Sequence, residues 1–375
     1  MTITITKHLV KKLSVMEHIL SGIGNDERLI NGLLVKSNGM MQVANGTTNM
    51  SFKLTTEELG LTPNLPDKDF ILPEMAYRFL KNLPVGTSVE VSPIKDNLVT
   101  IIVENGRKKK NKVEFATQSA SEYVEIAKAD VSSMQKLNAK WFKNAISKCS
   151  YAISDNPTKP IYTAAHLIAR KGQIVAYAID GFKAAVISNN TDKAEKDFML
   201  SIPQEVIKIL SGMDFAETVI VGFNDNHTKA VFVTDESTVI QGSLHIGTPM
   251  MYDSYINKGK HAFSLETAGL TRVIKQICLL NGGKSVPMRF TVRKEEIVCS
   301  YSNEKTRFED CVSVVKSSLA DEEFVIGINP DILLSTLKSC SEDVTSFKFS
   351  SPLTPLEIYN GNLSAIVVPM KIKEG

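Results

Sequence analysis

Apolar residues recur every three or four positions in three stretches of the chain, one near the start of each third. They are Leu9, Val10, Leu13, Met16 and Leu20 in residues 6–20, Trp141, Phe142, Ala145 and Ile146 in residues 138–149, and Leu270, Val273, Ile274 and Ile277 in residues 266–280. This spacing is typical of an amphipathic helix with one buried face. Matching Val10, Phe142 and Leu270 places the stretches 132 and 128 residues apart, so the sequence predicts three equivalent helices.

A second pattern also occurs three times and joins an apolar strand to a helix through proline. It reads Asp69-Phe70-Ile71-Leu72-Pro73, then Asp197-Phe198-Met199-Leu200-Ser201-Ile202-Pro203, then Glu323-Phe324-Val325-Ile326-Gly327-Ile328-Asn329-Pro330. Proline suits the first position of a helix because its missing N–H would have no partner there, so helices are predicted at residues 74–82, 203–213 and 329–340. One copy could be any strand-to-helix junction. Three copies in a 375-residue chain, with phenylalanines 128 and 126 residues apart, predict a threefold repeated domain.

Between the predicted helices, short runs rich in β-branched and aromatic residues alternate with Gly, Asn, Asp and Ser, which is typical of strands and turns. Examples are residues 99–103, 218–221 and 230–233. Each third is therefore predicted to be α+β, with two helices packed on a larger amount of antiparallel sheet. We expect similar domains at residues 1–128, 129–252 and 253–375.

Charge is divided unevenly between the predicted helices and the rest of the chain. The net charge is only +2, but the six helices carry +7 and the remainder −5. The basic helical residues are Lys7, Lys11, Lys12, Arg78, Lys81, Lys140, Lys143, Lys148, Lys208, Arg272, Lys275 and Lys338. If the helices share one surface, that surface can face a phosphate backbone. The alternative is that these are ordinary Lys-rich faces in solvent.

A basic run, Arg107-Lys108-Lys109-Lys110-Asn111-Lys112, lies between two strand-like segments. It is interpreted as the solvated tip of a hairpin, and a loop that contacts phosphate is the alternative.

Little in the sequence indicates catalysis or a metal site. Gly282-Gly283-Lys284-Ser285 resembles the end of a phosphate-binding loop, but Cys278 stands where that motif needs its first glycine. Asp180 beside Gly181 is expected to be a turn residue, and the six histidines show no zinc spacing. The five cysteines form no Cys-x-x-Cys pair, and no apolar run is long enough to span a membrane. We therefore expect a cytoplasmic protein with free thiols, no cofactor and no enzymatic activity of its own.

Several segments, in their order and spacing, resemble bacterial-type DNA polymerase sliding clamps, the β subunits of the replicative polymerase. The segments are residues 324–334, Ser351-Pro352-Leu353-Thr354-Pro355-Leu356, Val367-Val368-Pro369-Met370-Lys371-Ile372 and Ile179-Asp180-Gly181-Phe182-Lys183-Ala184. The similarity covers nearly the whole chain and is weakest in the first third. Ile179, Phe182 and Lys183 stand where the family usually has Thr, Tyr or His, and Arg, so the chain is identified as a divergent member.

The resemblance implies the DNA clamp fold and a head-to-tail homodimer that forms a closed ring. Twelve helices would line a hole around duplex DNA, contact it without sequence preference, and keep the replicative polymerase on its template. The other implied partner is the clamp loader. The rival interpretation is a clamp-like scaffold that binds partner peptides but does not encircle DNA.

The family also has a pocket for partner peptides between its second and third domains. Carried over by position, its wall in this chain is Thr163, Ile179, Gly181, Phe182, Lys183, Ala184, Pro249, Leu353, Pro355, Val367, Val368, Pro369 and Met370. Apolar and flexible side chains with few charges suit a short hydrophobic peptide. The alternative for Val367, Val368 and Met370 is ordinary strand core. The local spacing differs from the family near Tyr252 and Tyr255.

Overall fold

The computed structural model describes residues 1–22, 29–95, 97–105, 109–124, 126, 129–245, 247–283 and 286–372. Within these residues, the order strand, helix and three strands occurs six times in succession, which makes three repeats of two such units. The first repeat comprises β1 (Thr2–Thr4), α1 (Lys7–Ser21), β2 (Gly32–Val35), β3 (Met40–Ala44), β4 (Thr48–Lys53), the extra short helix α2 (Thr56–Leu59), β5 (Phe70–Pro73), α3 (Glu74–Lys81), β6 (Ser88–Lys95), β7 (Leu98–Asn105) and β8 (Lys109–Ala116).

The second and third repeats follow the same order without the extra helix. The second comprises β9 (Gln135–Asn138), α4 (Ala139–Cys149), β10 (Ala164–Arg170), β11 (Gln173–Ile179), β12 (Lys183–Asn189), β13 (Phe198–Pro203), α5 (Gln204–Gly212), β14 (Thr218–Phe223), β15 (Lys229–Asp235) and β16 (Thr238–Ser243). The third comprises β17 (His261–Glu266), α6 (Thr267–Asn281), β18 (Met288–Val292), β19 (Glu296–Ser302), β20 (Arg307–Ser317), β21 (Phe324–Ile328), α7 (Pro330–Lys338), β22 (Val344–Phe349), β23 (Leu356–Asn360) and β24 (Leu363–Val367).

The six predicted helices are confirmed to within two residues at each end, and helix α2 was not predicted. Their first turns show why the chain turns helical where it does. The N–H of Leu9 donates to Oγ1 of Thr6, the residue before α1, at 2.9 Å. At α7, Asn329 Oδ1 accepts from the Asp331 N–H at 2.9 Å and Pro330 takes the first helical position. These contacts satisfy backbone groups that would otherwise lack partners.

All strands of the three sheets pair antiparallel. In each repeat the first strand pairs with the sixth, and the fifth strand pairs with the second. The sheet orders are β1-β6-β7-β8, then β5-β2-β3-β4-β16-β15-β14-β9, then β13-β10-β11-β12-β24-β23-β22-β17-β20-β19-β18-β21. The prediction of an α+β protein with antiparallel sheet is therefore confirmed.

The chain divides into two compact units, Met1–Lys143 with Glu205–Leu244, and Asn144–Gln204 with His245–Gly375. Each unit contains one place where the sheets of successive repeats join. In the first unit β4 pairs with β16, and in the second unit β12 pairs with β24. The predicted domain boundaries at residues 128 and 252 stay a prediction, because the compact units divide the chain at other positions.

The core of each unit is apolar and rich in aromatic rings. In the first unit the rings of Phe142 and Phe232 lie 5.9 Å apart, and in the second the rings of Phe263 and Phe347 stack at 5.0 Å. All five cysteines are free thiols. Among the described residues, no helix has the length and apolar character needed to cross a membrane.

Two of the sequence features fall partly outside the described residues. They are Arg107 and Lys108 of the basic run, and Lys284 and Ser285 of the glycine-rich segment. The remainder of the basic run belongs to strand β8, where Lys112 is exposed and pairs with Glu114 at 2.7 Å.

Candidate nucleic-acid interface and peptide pocket

At each sheet junction, the first helix of one repeat packs against the second helix of the next. In the first unit, α1 lies beside α5, with Val15 close to Gly212 and Lys11 paired with Asp214 beyond the end of α5. In the second unit, Lys148 on α4 donates from Nζ to Ser341 Oγ at 3.2 Å, just after α7. Helices α3 and α6 pack against helices of their own repeats, α1 and α7 respectively.

Eight of the twelve predicted DNA-facing side chains are exposed. They are Lys7, Lys11, Arg78, Lys140, Lys208, Arg272, Lys275 and Lys338. Lys81, Lys143 and Lys148 are half-buried. Two exposed arginines are paired: Arg78 Nε lies 2.9 Å from Glu17, and Arg272 lies 3.2 Å from Asp310 on β20. The hydrogen bond and the charge of Lys81, followed by the charge of Arg78, hold the pKa of Glu17 below its usual value.

Lys12 is an exception and does not face solvent. Its residue is 2% exposed, and its ammonium donates to Ser237 Oγ at 3.1 Å, lies 3.5 Å from Asp235 Oδ2, and sits over the ring of Phe52. Burial lowers the pKa of Lys12, while the charge of Asp235 opposes that change. The prediction that Lys12 contacts DNA is corrected, because α1 turns this position into the core of the first unit.

The buried faces of the three first helices also correct the alignment that matched Val10 to the other repeats. Leu9, Leu13 and Met16 are fully buried and correspond in spacing to Phe142, Ile146 and Cys149 of α4, and to Leu270, Ile274 and Ile277 of α6. On this alignment, the position of Lys12 holds Ala145 in α4 and Val273 in α6, both fully buried. Lys12 is thus a charged residue at a position that is apolar core in the other two repeats.

The second site is built around a tight turn between β11 and β12. Asp180 Oδ1 accepts from the N–H groups of Phe182 at 2.8 Å and Lys183 at 2.9 Å, and Asp180 Oδ2 pairs with Lys183 Nζ at 3.0 Å. Gly181 has φ = +94°, a conformation that a side chain rarely adopts. The turn holds Phe182 outward, 67% exposed. The expectation that Asp180 is a turn residue agrees with this geometry.

The same turn occurs before the fourth strand of every repeat. In the first, Asn45 Oδ1 accepts from the N–H groups of Thr47 and Thr48 at 3.2 and 2.7 Å. In the third, Asn303 Oδ1 accepts from those of Lys305 and Thr306 at 2.9 and 2.8 Å. The position of Phe182 is therefore Thr47 in the first repeat and Lys305 in the third, so the middle repeat presents an apolar side chain where the others are polar.

Leu353, on the third repeat, is the other predicted pocket residue with a strongly exposed apolar side chain. It lies in a turn held by Thr354, whose Oγ1 accepts from the N–H groups of Ser350 and Ser351 at 3.1 and 2.9 Å. Leu353 is 81% exposed, whereas Pro355 in the same segment is half-buried. Burying such a side chain against a partner removes apolar surface from water, which is favourable.

Other predicted pocket residues form the sheet beneath these two turns. Lys183 and Ala184 on β12 pair with Val367 and Ile366 on β24. Val368 then donates its N–H to Phe182 O at 2.9 Å, and Met370 donates to Gly327 O at 2.8 Å. Ile179, Ala184, Pro249 and Val367 are buried, and Thr163, Val368, Pro369 and Met370 are half-buried. Val367 is thus strand core, while the residues after it lie partly open to solvent.

Sequence reasoning missed an aromatic layer on this sheet face. Tyr177 belongs to a buried apolar cluster that includes Ile179 and Ala184, and Met251, Tyr252 and Tyr255 pack against that cluster. The rings of Tyr177 and Tyr252 lie 5.2 Å apart. The alternation of side chains along β11 could have placed Tyr177 beside Ile179, since residues two apart share a face.

A buried carboxylate fixes the segment that carries these side chains. Glu357, 2% exposed, accepts from the N–H groups of Asn257, Lys258 and Gly259 at 2.8, 2.7 and 2.6 Å. Tyr359 bonds Asn257 Oδ1 at 3.1 Å and also bonds Glu357, and Asn257 has φ = +60°. The chain that follows Tyr252 and Tyr255 is therefore anchored to β23.

Comparisons with known proteins agree with the fold. No protein-family model matches the chain. Its structure matches the β subunit of Streptococcus pyogenes DNA polymerase with a TM-score of 0.84 at 17% identity, covering 99% of this chain and 100% of the other. The chain has the DNA sliding clamp fold. The DNA polymerase III β subunit of Thermotoga maritima matches with the same TM-score at 16% identity and the same coverage.

The sequence relatives are named beta sliding clamps. The beta sliding clamp of Streptococcus pneumoniae R6 is 20% identical over 366 residues, covering 95% of this chain and 91% of that protein. That of Bacillus subtilis is 22% identical over 296 residues, covering 77% and 75%. The resemblance identified from the sequence is confirmed, at low sequence identity.

Proposed function

We propose that this protein is a DNA sliding clamp that encircles duplex DNA as a head-to-tail homodimer and keeps the replicative polymerase on its template. The observation that carries this proposal is the series of junctions along the chain. β4 joins β16 and β12 joins β24, each backed by a first helix against a second helix. By the same rule, β20 with α6 calls for a further β8 with α3, which a second copy of the chain can supply.

Both ends of the series are open in the described part of the chain. β8 pairs with β7 alone, and β20 lacks a second neighbour along residues 307–313. The helices behind these edges expose large apolar side chains, Met75 on α3 at 66% and Leu279 on α6 at 83%. Exposed strand edges and exposed apolar side chains are features of interaction surfaces.

The exposed basic residues support contact with DNA. We assign this role to the eight exposed side chains, with Lys81, Lys143 and Lys148 as a second group that local contacts partly hold. Contacts with phosphate carry no sequence information and weaken with salt, as a clamp that slides requires. We propose three domains at residues 1–128, 129–252 and 253–375, whose helices line one channel.

Phe182 and Leu353 support a binding site for a short apolar peptide of the polymerase or the clamp loader. The proposed wall combines these two exposed side chains with Thr163, Gly181, Lys183, Pro249, Pro355, Val368, Pro369 and Met370, over a floor of Ile179, Ala184 and Val367. A few exposed apolar anchors on a fixed backbone are the usual source of affinity in such sites. In this proposal the protein acts by holding its partners and performs no chemistry of its own.

Two measurements test the proposal. Sedimentation at micromolar concentration should show a dimer, and a strict monomer would contradict the ring. Loaded by its clamp loader onto a nicked circular plasmid, the protein should stay on the DNA through gel filtration and leave when the plasmid is linearised. Equal retention on circular and linear DNA would show that it binds DNA without encircling it.

A further inference from the structure

The hydrogen bonds and side chains at the two open strand edges determine the register in which these edges would pair. This inference rests on the proposed head-to-tail dimer and goes further, because it gives the pairing residue by residue. The edges are β8 and residues 307–313 of β20. The two junctions inside the chain supply the template.

The turns before β4, β12 and β20 fix the equivalent positions on one side of the junction. Asn45 N donates to Thr48 O at 3.0 Å, Asp180 N to Lys183 O at 3.2 Å, and Asn303 N to Thr306 O at 2.9 Å. Thr306 is therefore the counterpart of Thr48, which pairs with Gly242.

The hydrogen bonds just after β16 and β8 determine which positions of these two strands are equivalent. Leu244 N donates to Thr228 O at 3.1 Å, across the tip of the neighbouring hairpin, and Thr117 N donates to Asn97 O at 3.0 Å in the same way. Thr117 is thus the counterpart of Leu244. Counting back two residues makes Phe115 the counterpart of Gly242.

Thr306 of one copy should then face Phe115 of the next. We propose that a second copy of this chain docks against β20 in the antiparallel register that places Arg307 opposite the partner's Glu114, Phe308 opposite the partner's Val113, and Glu309 opposite the partner's Lys112. Both outward-facing pairs join opposite charges, and the pair between them is apolar.

Hydrogen-bond directions give an independent check. Amides alternate between the two edges of a strand. Since Thr117 N donates toward β7, the amides of Lys112 and Glu114 point to the open edge. Since Val314 N donates to Glu295 O on the β19 side, the amides of Arg307 and Glu309 point to the open edge of β20. The register derived from the turns places these same residues opposite each other, Arg307 with the partner's Glu114 and Glu309 with the partner's Lys112.

The charges also reject neighbouring registers. Lys112 and Glu114 share a face of β8 and are 55% and 46% exposed at their side chains, and Arg307 and Glu309 are exposed on β20. A slip of two residues sets Arg307 opposite Lys112, or Glu309 opposite Glu114, and like charges directly opposite repel. A slip of one residue turns every side chain to the other face of the sheet.

Disulfide trapping tests the register. On a Cys311→Ser background, which removes the exposed thiol on β20, the chain carrying Arg307→Cys and Glu114→Cys should form a covalent dimer on mild oxidation. Facing residues have Cα atoms about 5.5 Å apart, which suits a disulfide. The matched control, Arg307→Cys with Lys112→Cys, places the thiols on a diagonal of about 7–8 Å and should stay largely uncrosslinked.

The outcomes separate this inference from the proposed function. If sedimentation shows a dimer but the control pair crosslinks in preference to the first pair, the register is wrong and the ring still stands. If both variants and the unmodified chain are monomers, the ring itself is refuted and the register with it.

Charge reversal gives a second readout that does not depend on oxidation. Glu309→Lys should raise the dimer dissociation constant about tenfold at low salt, because attraction becomes repulsion at both junctions of the ring. Adding Lys112→Glu should restore it to within about threefold, and high salt should reduce both effects. Failure of the second change to rescue the first, with a dimer still present, would overturn the pairing of these two residues.

Discussion

Replacing Asp235 with Asn should destabilise the first compact unit, whereas replacing its partner Lys12 with Met should not. The side chain of Lys12 is 3% exposed and that of Asp235 is 26% exposed, with 3.5 Å between Nζ and Oδ2. At that distance Coulomb's law gives an attraction of about 5 kcal/mol for an effective dielectric constant of about 20. Desolvation of the two ions, which costs several kcal/mol, offsets most of it.

The two substitutions differ in what they leave behind. Asp235→Asn retains an oxygen for Ser237, whose N–H donates to Oδ1 at 2.8 Å, but removes the carboxylate that pairs with the buried ammonium of Lys12. We expect a loss of about 3 kcal/mol in the free energy of unfolding. Lys12→Met keeps an unbranched stem at a position that is Ala145 and Val273 in the other repeats, so we expect a change of at most about 1 kcal/mol.

The assay is urea unfolding followed by the fluorescence of Trp141, the chain's single tryptophan, which belongs to the first unit. The double variant should lie close to Lys12→Met alone, because the charge that Asp235 neutralises is then gone. If Asp235→Asn changes stability by less than about 0.5 kcal/mol, the buried ion pair does not have the strength inferred from its geometry. If Lys12→Met weakens DNA retention as much as Lys140→Ala, then Lys12 contacts DNA after all.

Three further outcomes follow from the structure. Phe182→Ala should weaken binding of a polymerase-derived peptide at least tenfold in calorimetry, while Thr47→Ala at the equivalent turn leaves it unchanged; equal effects would place the pocket elsewhere. Lys140→Ala with Lys275→Ala should make the salt dependence of duplex binding shallower by about 0.9 for each phosphate that is no longer neutralised, and an unchanged slope would remove both from the DNA surface. Burial lowers the pKa of His166 to about 4, so the unfolded chain binds a proton at this histidine at a higher pH than the folded chain does. The free energy of unfolding should therefore fall as the pH drops from about 6.5 toward 4, by at most about 3 kcal/mol. His166→Gln should reduce this pH dependence in urea unfolding, and an unchanged pH dependence would assign the loss to other groups.

The helices could be predicted from the sequence because each carries an apolar stripe of regular spacing, and because proline marks the start of three of them. The repeat emerged from the same features. Sequence alone could not place Lys12. Lysine is usually exposed, and the Ser237 hydroxyl that helps bury this one lies 225 residues away.

The three equivalent turns escaped sequence reasoning for a different reason. They share a hydrogen-bond pattern but not a sequence motif. The first residue is Asn45, Asp180 or Asn303, and the second is glycine in only two of the three turns. The resemblance located the turn at Gly181 and the Leu353 segment. The aromatic layer of Tyr177 and Tyr252 depends on a chain segment folding back over a sheet, which local patterns do not reveal.

The pairing of β4 with β16 and of β12 with β24 has a consequence for how the proposed ring would open. Strands joined by one chain remain at a high effective concentration of each other, so these joints reseal as soon as they part. The proposed joint between two copies would have no such linker, and its occupancy would depend on protein concentration. In the proposed ring, a loader that passes DNA through the wall would meet its lowest barrier where β20 meets the partner's β8, and the alternating charges there would make that gate sensitive to salt.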